Sequence, residues 1–391
     1  MLRNHLTIAW RTLLRHKIFS FINIGGFAVG MAACLLLAVY ANGEMSYDEH
    51  YANQDRIYRI TSSSQYGEYS GKGVHFAHPF ADAVREAAPE VEVIGSYNGV
   101  VNFGAGSGEI RRADRHENIH EEGLVWADQG LIDILETSFI YGNATAALTQ
   151  PRTVVITQSK SLAYFGNIDP VGSALVINNN TSEPYTISGV IKDFPVHSHI
   201  SFDFLLTLEG KVFNEGERDS WCCNNYVSYV RVHPDTDISN LEEKIRRTHE
   251  EHLMRDPSNS AASPAEIAWM KSFRFQLQPL SDIYLNNDIQ DDLKHGDVRF
   301  IWLFGSIASF ILLLACINFI NLSTAKSITR AREVGVRKAI GSMRVALVRQ
   351  FLTESLLFTF LALTAACVLA LLAIPSFNQL IGKSLTLPVG E

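Results

Sequence analysis

Three apolar stretches interrupt an otherwise mixed polar pattern. Residues 18–40 and 300–322 each run 23 positions without a charge, and residues 356–374 run 19. A helix needs about 20 such residues to cross the hydrocarbon of a bilayer, so the pattern predicts three transmembrane helices. Between the first two lies a long polar insert. Alternation or β-branched enrichment predicts strands at 153–156, 174–177, 185–191, 204–208 and 226–232. Asn178, Asn179 and Asn180 suit a hairpin turn between two of them. A helix is predicted over 80–88, ended by Pro89. A longer one is predicted over 237–252, with Asp237 or Ser239 as its cap and Leu241, Ile245, His249 and Leu253 as its buried stripe. The predicted fold is a membrane protein with three α-helical transmembrane spans and a large α+β domain between spans 1 and 2. That domain is expected to form two α+β subdomains, the middle part inserted between two flanking parts.

Charge then sets the orientation. Residues 1–17 carry Arg3, Arg11, Arg15 and Lys17 and no acid. The stretch 323–355 carries Lys326, Arg330, Arg332, Arg337, Lys338, Arg344 and Arg349 against Glu333 and Glu354. Cytoplasmic flanks are the cation-rich ones. The insert 41–298 holds 20 Lys/Arg against 38 Asp/Glu, a formal charge of −18, and reads as external. The resulting layout is a cytoplasmic N-terminal helix (1–17), span 1 (18–40), an external domain (41–298), span 2 (299–322), a cytoplasmic connector (323–355), span 3 (356–374) and the start of an external loop (375–391). Leu6, Trp10, Leu13, Leu14 and Lys17 fall at helical spacing, which suits an amphipathic helix lying in the membrane interface. The first span exceeds a signal-peptide core and no small-x-small site follows it. The chain's net charge of −8 averages an acidic exterior and basic edges, and offers nothing to nucleic acid.

Few motifs carry chemistry. Gly26 and Gly30 form a small-xxx-small pair, which is either a helix-packing face or the ordinary glycine of a membrane helix. Cys34, Cys316 and Cys367 sit in the spans as small apolar residues, and Cys222 and Cys223 are neighbours whose pairing would strain disulfide geometry. His116, Glu117 and His120 match a zinc-protease pattern, which requires both histidines on one helical face. Charged neighbours and Gly123 crowd the stretch, so an exposed polar strand or loop is expected instead. Residues 67–73 contain a Gly-Lys pair without the following hydroxyl or the glycine spacing of a phosphate-binding loop. No catalytic residue, metal or cofactor is expected, and any ATP must be handled by another chain.

The connector is the most informative segment. Glu333 stands among cations, while Val334, Val336, Ala339 and Ile340 recur between charges, which suits a helix docking into a protein groove. The run Asn318, Phe319, Ile320, Asn321, Leu322, followed by Arg332 to Gly341 (REVGVRKAIG), Gln350, Phe351, Leu352, Glu354 and Ser355, resembles the MacB/FtsX-like family of ABC transporter permeases. The insert is similar to that family's periplasmic core domain, through residues 48–60, 151–172 and 279–285. The resemblance covers essentially the whole chain. It implies a separate cytoplasmic ATPase whose closure is felt by a coupling helix at about 331–342 and passed through the spans to the external domain. It also implies that Arg332, Glu333, Gly335, Arg337, Lys338 and Gly341 carry the ATPase contact, with Glu333 and Arg337 supplying charge and Gly341 the turn. Expected partners are that ATPase, a second copy or second permease half, a periplasmic adaptor and the lipid of the cell inner membrane. The family pattern has a fourth span, so the chain is expected to be truncated before it. Export or efflux is the predicted role. The alternative is a non-transporting relay that controls a periplasmic partner such as a cell-wall hydrolase.

Overall fold

The computed structural model describes residues 11, 17–66, 69–101, 104–221, 224–289, 291–340, 344–383 and 385. The chain forms two compact units, Tyr47–Gly296 and the remainder. Helix α1 (Lys17–Met45) comes first and belongs to the second of these.

The Tyr47–Gly296 unit opens with strands β1 (Ile57–Tyr66), β2 (Tyr69–Gly73) and β3 (His75–Phe76), helix α2 (Phe80–Ala87) and strand β4 (Val91–Asn98). A middle stretch follows: β5 (Gly106–Arg112), β6 (Ile119–Ala127), α3 (Gln129–Leu135), β7 (Phe139–Gly142), β8 (Thr153–Thr157), α4 (Gln158–Phe165), β9 (Ala174–Ile177), β10 (Tyr185–Ile191) and β11 (Phe204–Thr207). The chain then returns through β12 (Tyr226–Val232), α5 (Ile238–Arg255), α6 (Pro264–Ser272), β13 (Arg274–Pro279) and α7 (Leu280–Ile283).

All these strands join one sheet. The middle stretch closes on itself in the order β11, β8, β10, β9, β5, β6, because β11 also pairs with β6 in parallel register, Phe204 opposite Leu124. Closure removes sheet edges. Its interior is filled by Ile110, Leu124, Val154, Ile156, Leu175, Ile187, Phe204 and Leu206, all essentially inaccessible. From β6 the sheet continues through β4, β12, β1 and β13 as an open antiparallel layer. Helices α2, α5 and α6 cover one face of that layer, burying Phe76, Phe80, Val84, Ile245 and Phe275.

Local chemistry explains several elements. Asp237 caps α5 by accepting from the Asn240 amide, and Leu241, Ile245, His249 and Leu253 form its buried stripe. Ser263 and Glu266 make a capping box on α6. The three asparagines turn between β9 and β10, with Asn178 and Asn179 at φ of 50° and 60°. Helix α3 starts against β4 with almost no gap: a Cβ on Gly130 would lie 2.1 Å from the Ile94 carbonyl oxygen. Asp128 seals that junction, accepting from the Leu131 and Ser96 amides. Burial pushes its carboxyl up to about 7, against the pull of those two donors.

The other unit holds α1, α8 (Val298–Ala339) and α9 (Arg344–Ile381). Three segments, Ser20–Met45, Val298–Asn321 and Val348–Ile381, are long and apolar enough to cross a membrane. Hydroxyls within them, such as Ser306 and Ser309, donate to carbonyls four residues back and so satisfy their own hydrogens within the helix. Two helices run on past the span limits read from the sequence. Helix α8 runs unbroken from span 2 through residue 323 to Ala339, because nothing between Ser323 and Ala331 stops a helix. Helix α9 continues past residue 374 and through Pro375 to Ile381, where Asn378 bonds both the amide and the carbonyl of Leu385. A proline inside a helix removes one amide donor and crowds the carbonyl four residues back, which weakens the helix at that point. The N-terminal helix expected over 1–17 lies almost wholly outside the described residues, as do Cys222 and Cys223.

Candidate functional site

The chain passes into the α+β unit at Tyr47 and leaves it at Gly296. Both points are tied to one residue. The Tyr47 ring stacks on the Tyr284 ring at 3.3 Å and 4°, and the Gly296 amide donates to the Tyr284 carbonyl at 2.9 Å.

Each linker is then fastened to the centre of the open layer. On the incoming side, Asp48 takes a left-handed backbone (φ 64°), and its amide donates to the His197 carbonyl at 2.8 Å. Its carboxylate accepts from the His199 amide at 3.1 Å and lies 2.8 Å from His199 Nδ1, a close polar contact whose alignment falls short of a hydrogen bond. His199 Nε2 pairs with the Tyr229 hydroxyl at 2.8 Å. On the outgoing side, Asp291 forms an ion pair with Arg59, and both side chains are buried. Gln278 Oε1 accepts from Arg59 Nε and Nη2 at 3.2 and 2.8 Å. The other Asp291 oxygen faces His295 Nε2 at 2.6 Å and accepts from the Leu293 amide.

The two fastenings meet. Arg59 on β1 and Tyr229 on β12 are cross-strand partners in the antiparallel register. Asp48, His199, Tyr229, Arg59, Asp291 and His295 thus form one polar line through an apolar core. Burial works against ionised Asp291, yet hydrogen bonding to His295 and the Arg59 charge outweigh it and hold the carboxyl at about 2. The same hydrogen bond from Asp291 raises the His295 imidazole above its usual range. Burial lowers His75 nearby.

None of these six residues was singled out by function in the sequence, although Asp48 and Arg59 both lie within the family-like stretch 48–60. One signal was present: Arg59 is a lone cation between Ile57 and Ile60 in a β-branched run.

The residues that were singled out fall elsewhere. Arg332, Glu333, Gly335, Arg337 and Lys338 lie on the last turns of α8. Gly335 is exposed with open space around it. The side chains of Arg332, Glu333, Arg337 and Lys338, and the whole of Gly341, lie outside what the structure describes. Gly26 and Gly30 face α8: a Cβ on Gly30 would meet the Ala315 Cβ at 3.0 Å, and one on Gly26 the Asn318 side chain at 3.5 Å. Ala28 and Ala32 pack against Ala366 and Ala370 of α9. His116 sits in a loop and His120 on strand β6, where it pairs with Glu109 at 3.0 Å, so the two do not share a helical face.

A family model described as the MacB-like periplasmic core domain matches residues 20–248, and one described as the FtsX-like permease C-terminal matches residues 305–390. The chain belongs to the MacB/FtsX-like family of ABC transporter permeases. A relative in Bacillus subtilis (strain 168), the uncharacterized ABC transporter permease YknZ, is 21% identical over 372 residues, covering 92% of this chain and 83% of its own. The macrolide export ATP-binding/permease protein MacB of Chlorobium luteolum is 22% identical over 354 residues, covering 89% of this chain and 49% of its own. The chain thus spans about half the length of that MacB relative. The solved extracellular domain of the YknZ transporter from Gram-positive bacteria aligns with 57% of this chain and 99% of its own, at 13% identity and a TM-score of 0.36. Permeases of this family work with an ATPase partner.

Proposed function

We propose that this permease converts ATP binding and hydrolysis on a separate cytoplasmic ATPase into movement of the α+β unit, and that the movement drives export or efflux. The observation that carries this reading is the polar line from Asp48 to His295. Two linkers that continue into α1 and α8 converge on one cross-strand pair, Arg59 and Tyr229. Packed and buried groups of this kind do not deform continuously. Displacing one linker against the other therefore shears the middle of the sheet rather than a loop at its edge.

The ATPase contact is assigned to Arg332, Glu333, Gly335, Arg337 and Lys338 at the end of α8, together with Gly341. The inner membrane, with the N-terminus cytoplasmic, follows from the cation-rich flanks. The chain works as a homodimer or beside a second permease half, with a periplasmic adaptor as a further partner. Relatives whose names specify macrolide or pyoverdine export favour a transported molecule over a pure relay.

The test is affinity purification from native membranes in mild detergent, with mass spectrometry of co-purifying proteins, followed by hydrogen exchange with and without ATP. A co-purifying ATPase with a phosphate-binding loop, and ATP-dependent exchange at 197–199 and 285–295, is the expected result. Glu333→Lys should remove the ATPase without disturbing membrane insertion. Unchanged ATPase association in that variant, or exchange indifferent to ATP, overturns the reading.

A further inference from the structure

The segment between β11 and β12 holds a cation in an aromatic enclosure. Lys211 Nζ lies 5.3, 5.0 and 5.8 Å from the ring centres of Trp126, Phe213 and Tyr226. It also sits 3.0 Å from Glu217 Oε1 and 3.3 Å from the Tyr226 hydroxyl. The lysine side chain is 6% exposed and the glutamate 2%. Glu217 Oε1 also accepts from the Tyr226 hydroxyl at 2.8 Å, and its Oε2 accepts from the Asn214 amide and side chain at 3.1 Å. Burial disfavours its charge, but those hydrogen bonds overcome it and keep the carboxyl below its usual range.

Aromatic faces around a buried carboxylate are the chemistry that recognises an organic ammonium ion. Here the protein's own lysine fills the place. Two features go beyond a simple staple. Cavities of 360 and 290 Å³ lie beside the enclosure, and both are bordered by Gly210 and Lys211. Gly210, directly before the lysine, has φ +69°, and Gly216, directly before the glutamate, has φ +77° with open space around it. Left-handed glycines are the positions where a chain turns at least steric cost.

We propose that this enclosure is a binding site for organic cations bearing a primary or quaternary ammonium, kept closed by Lys211. Such a cation comes in through a flanking cavity, sets its ammonium between Trp126, Phe213 and Tyr226 against Glu217, and displaces the Lys211 side chain. The cavities accommodate an amine of modest size, since ligand sites usually measure about 300–1,000 Å³. The site stands whether or not ATP moves the domain, so its test needs no ATPase.

The experiment is isothermal titration calorimetry on the full chain in detergent micelles, with n-butylammonium chloride as the probe and sodium chloride at equal ionic strength as the reference. The probe reproduces the four-carbon stem and charge of lysine. The wild-type chain should bind it saturably, Lys211→Ala should bind it at least about tenfold more tightly because the competitor is gone, and Trp126→Leu should lose binding while retaining its melting transition. Equal heats from wild type and Trp126→Leu would overturn the proposal, as would Lys211→Ala binding no more tightly than wild type. Should Lys211→Ala fail to fold, the comparison of wild type with Trp126→Leu decides alone.

Discussion

Replacing Asp291 with asparagine tests the polar line directly. The substitution keeps shape and one acceptor but removes the only charge shown opposite the buried Arg59 guanidinium. Stranding one partner of a buried ion pair costs about 3–5 kcal/mol, and the remaining acceptor argues for the lower end, about 3. For a domain of this size, that lowers the melting temperature by about 6–12 °C. The pH dependence supplies an independent figure. The Asp291 carboxyl is held at about 2, below its unfolded value of 3.8. A depressed acid adds stability that is fully present above the unfolded value and lost as pH falls through the folded one, here about 2 kcal/mol between pH 4 and pH 2. His295 has the opposite sign. Its raised pKa adds stability that is full below the unfolded value near 6.5 and fades as pH rises through the folded value. The pair is therefore strongest between roughly pH 4 and 6.5. Near-UV circular dichroism melts of the full chain in micelles should show the deficit of Asp291→Asn at pH 7 and its shrinkage as pH approaches 2. Combining Arg59→Met with Asp291→Leu should recover most of the loss, because an apolar pair of similar volume replaces two desolvated charges. A melting shift within about 2 °C at pH 7, or variant and wild-type curves that stay parallel down to pH 2, would refute the reasoning.

His249 is buried among Phe80, Trp221, Phe273 and Phe275, and burial, with a smaller push from His252, lowers its pKa to about 4. Its neutral form therefore adds stability above pH 6.5 that falls away, by about 3 kcal/mol, as pH drops toward 4, and His249→Leu should flatten that part of an acid titration of the melting temperature. Gly30→Leu should disrupt packing of α1 on α8, read as loss of the folded population in detergent, while Gly25→Leu, with open space around it, should not. Residues 45–295 should express as a soluble, cooperatively melting fragment, since it keeps the Tyr47–Tyr284 stack and the fastenings at Asp48 and Asp291; aggregation under every condition tried would argue against it.

Much of the architecture was legible because it rests on long uniform signals. The spans are uninterrupted apolar runs, and β8, β9, β10 and β12 are β-branched stretches bounded by turn residues. The cap and stripe of α5 are written in consecutive residues. What escaped depends on distant partners. Closure of the middle strands requires β6 to meet β11, and β1 finds its sheet position only between β12 and β13. The pin is harder still, since Arg59 and Asp291 are 232 positions apart and Asp291 is one of many acids in the insert. Its identity as a structural charge comes from burial alone. The coupling segment shows a different limit. Its composition promised a helix, and α8 supplies one, but continuity with span 2 depends on the absence of a stop signal, which is weak information.

Helix α8 has 42 residues, so at 1.5 Å per residue it is about 63 Å long. The hydrocarbon of a bilayer is about 30 Å thick, so roughly half of that rod stands outside it. The span takes up its first 24 residues, Val298–Asn321, so the overhang lies wholly at the Ala339 end. In the coupling proposed above, a push on the last turns of α8 has to travel along this rod to Val298, its first residue and two past Gly296. Two glycines, Gly305 within the span and Gly335 in the overhang, each cost the helix about 1 kcal/mol relative to alanine. Under the coupling proposed above, Gly335 is where that overhang yields first.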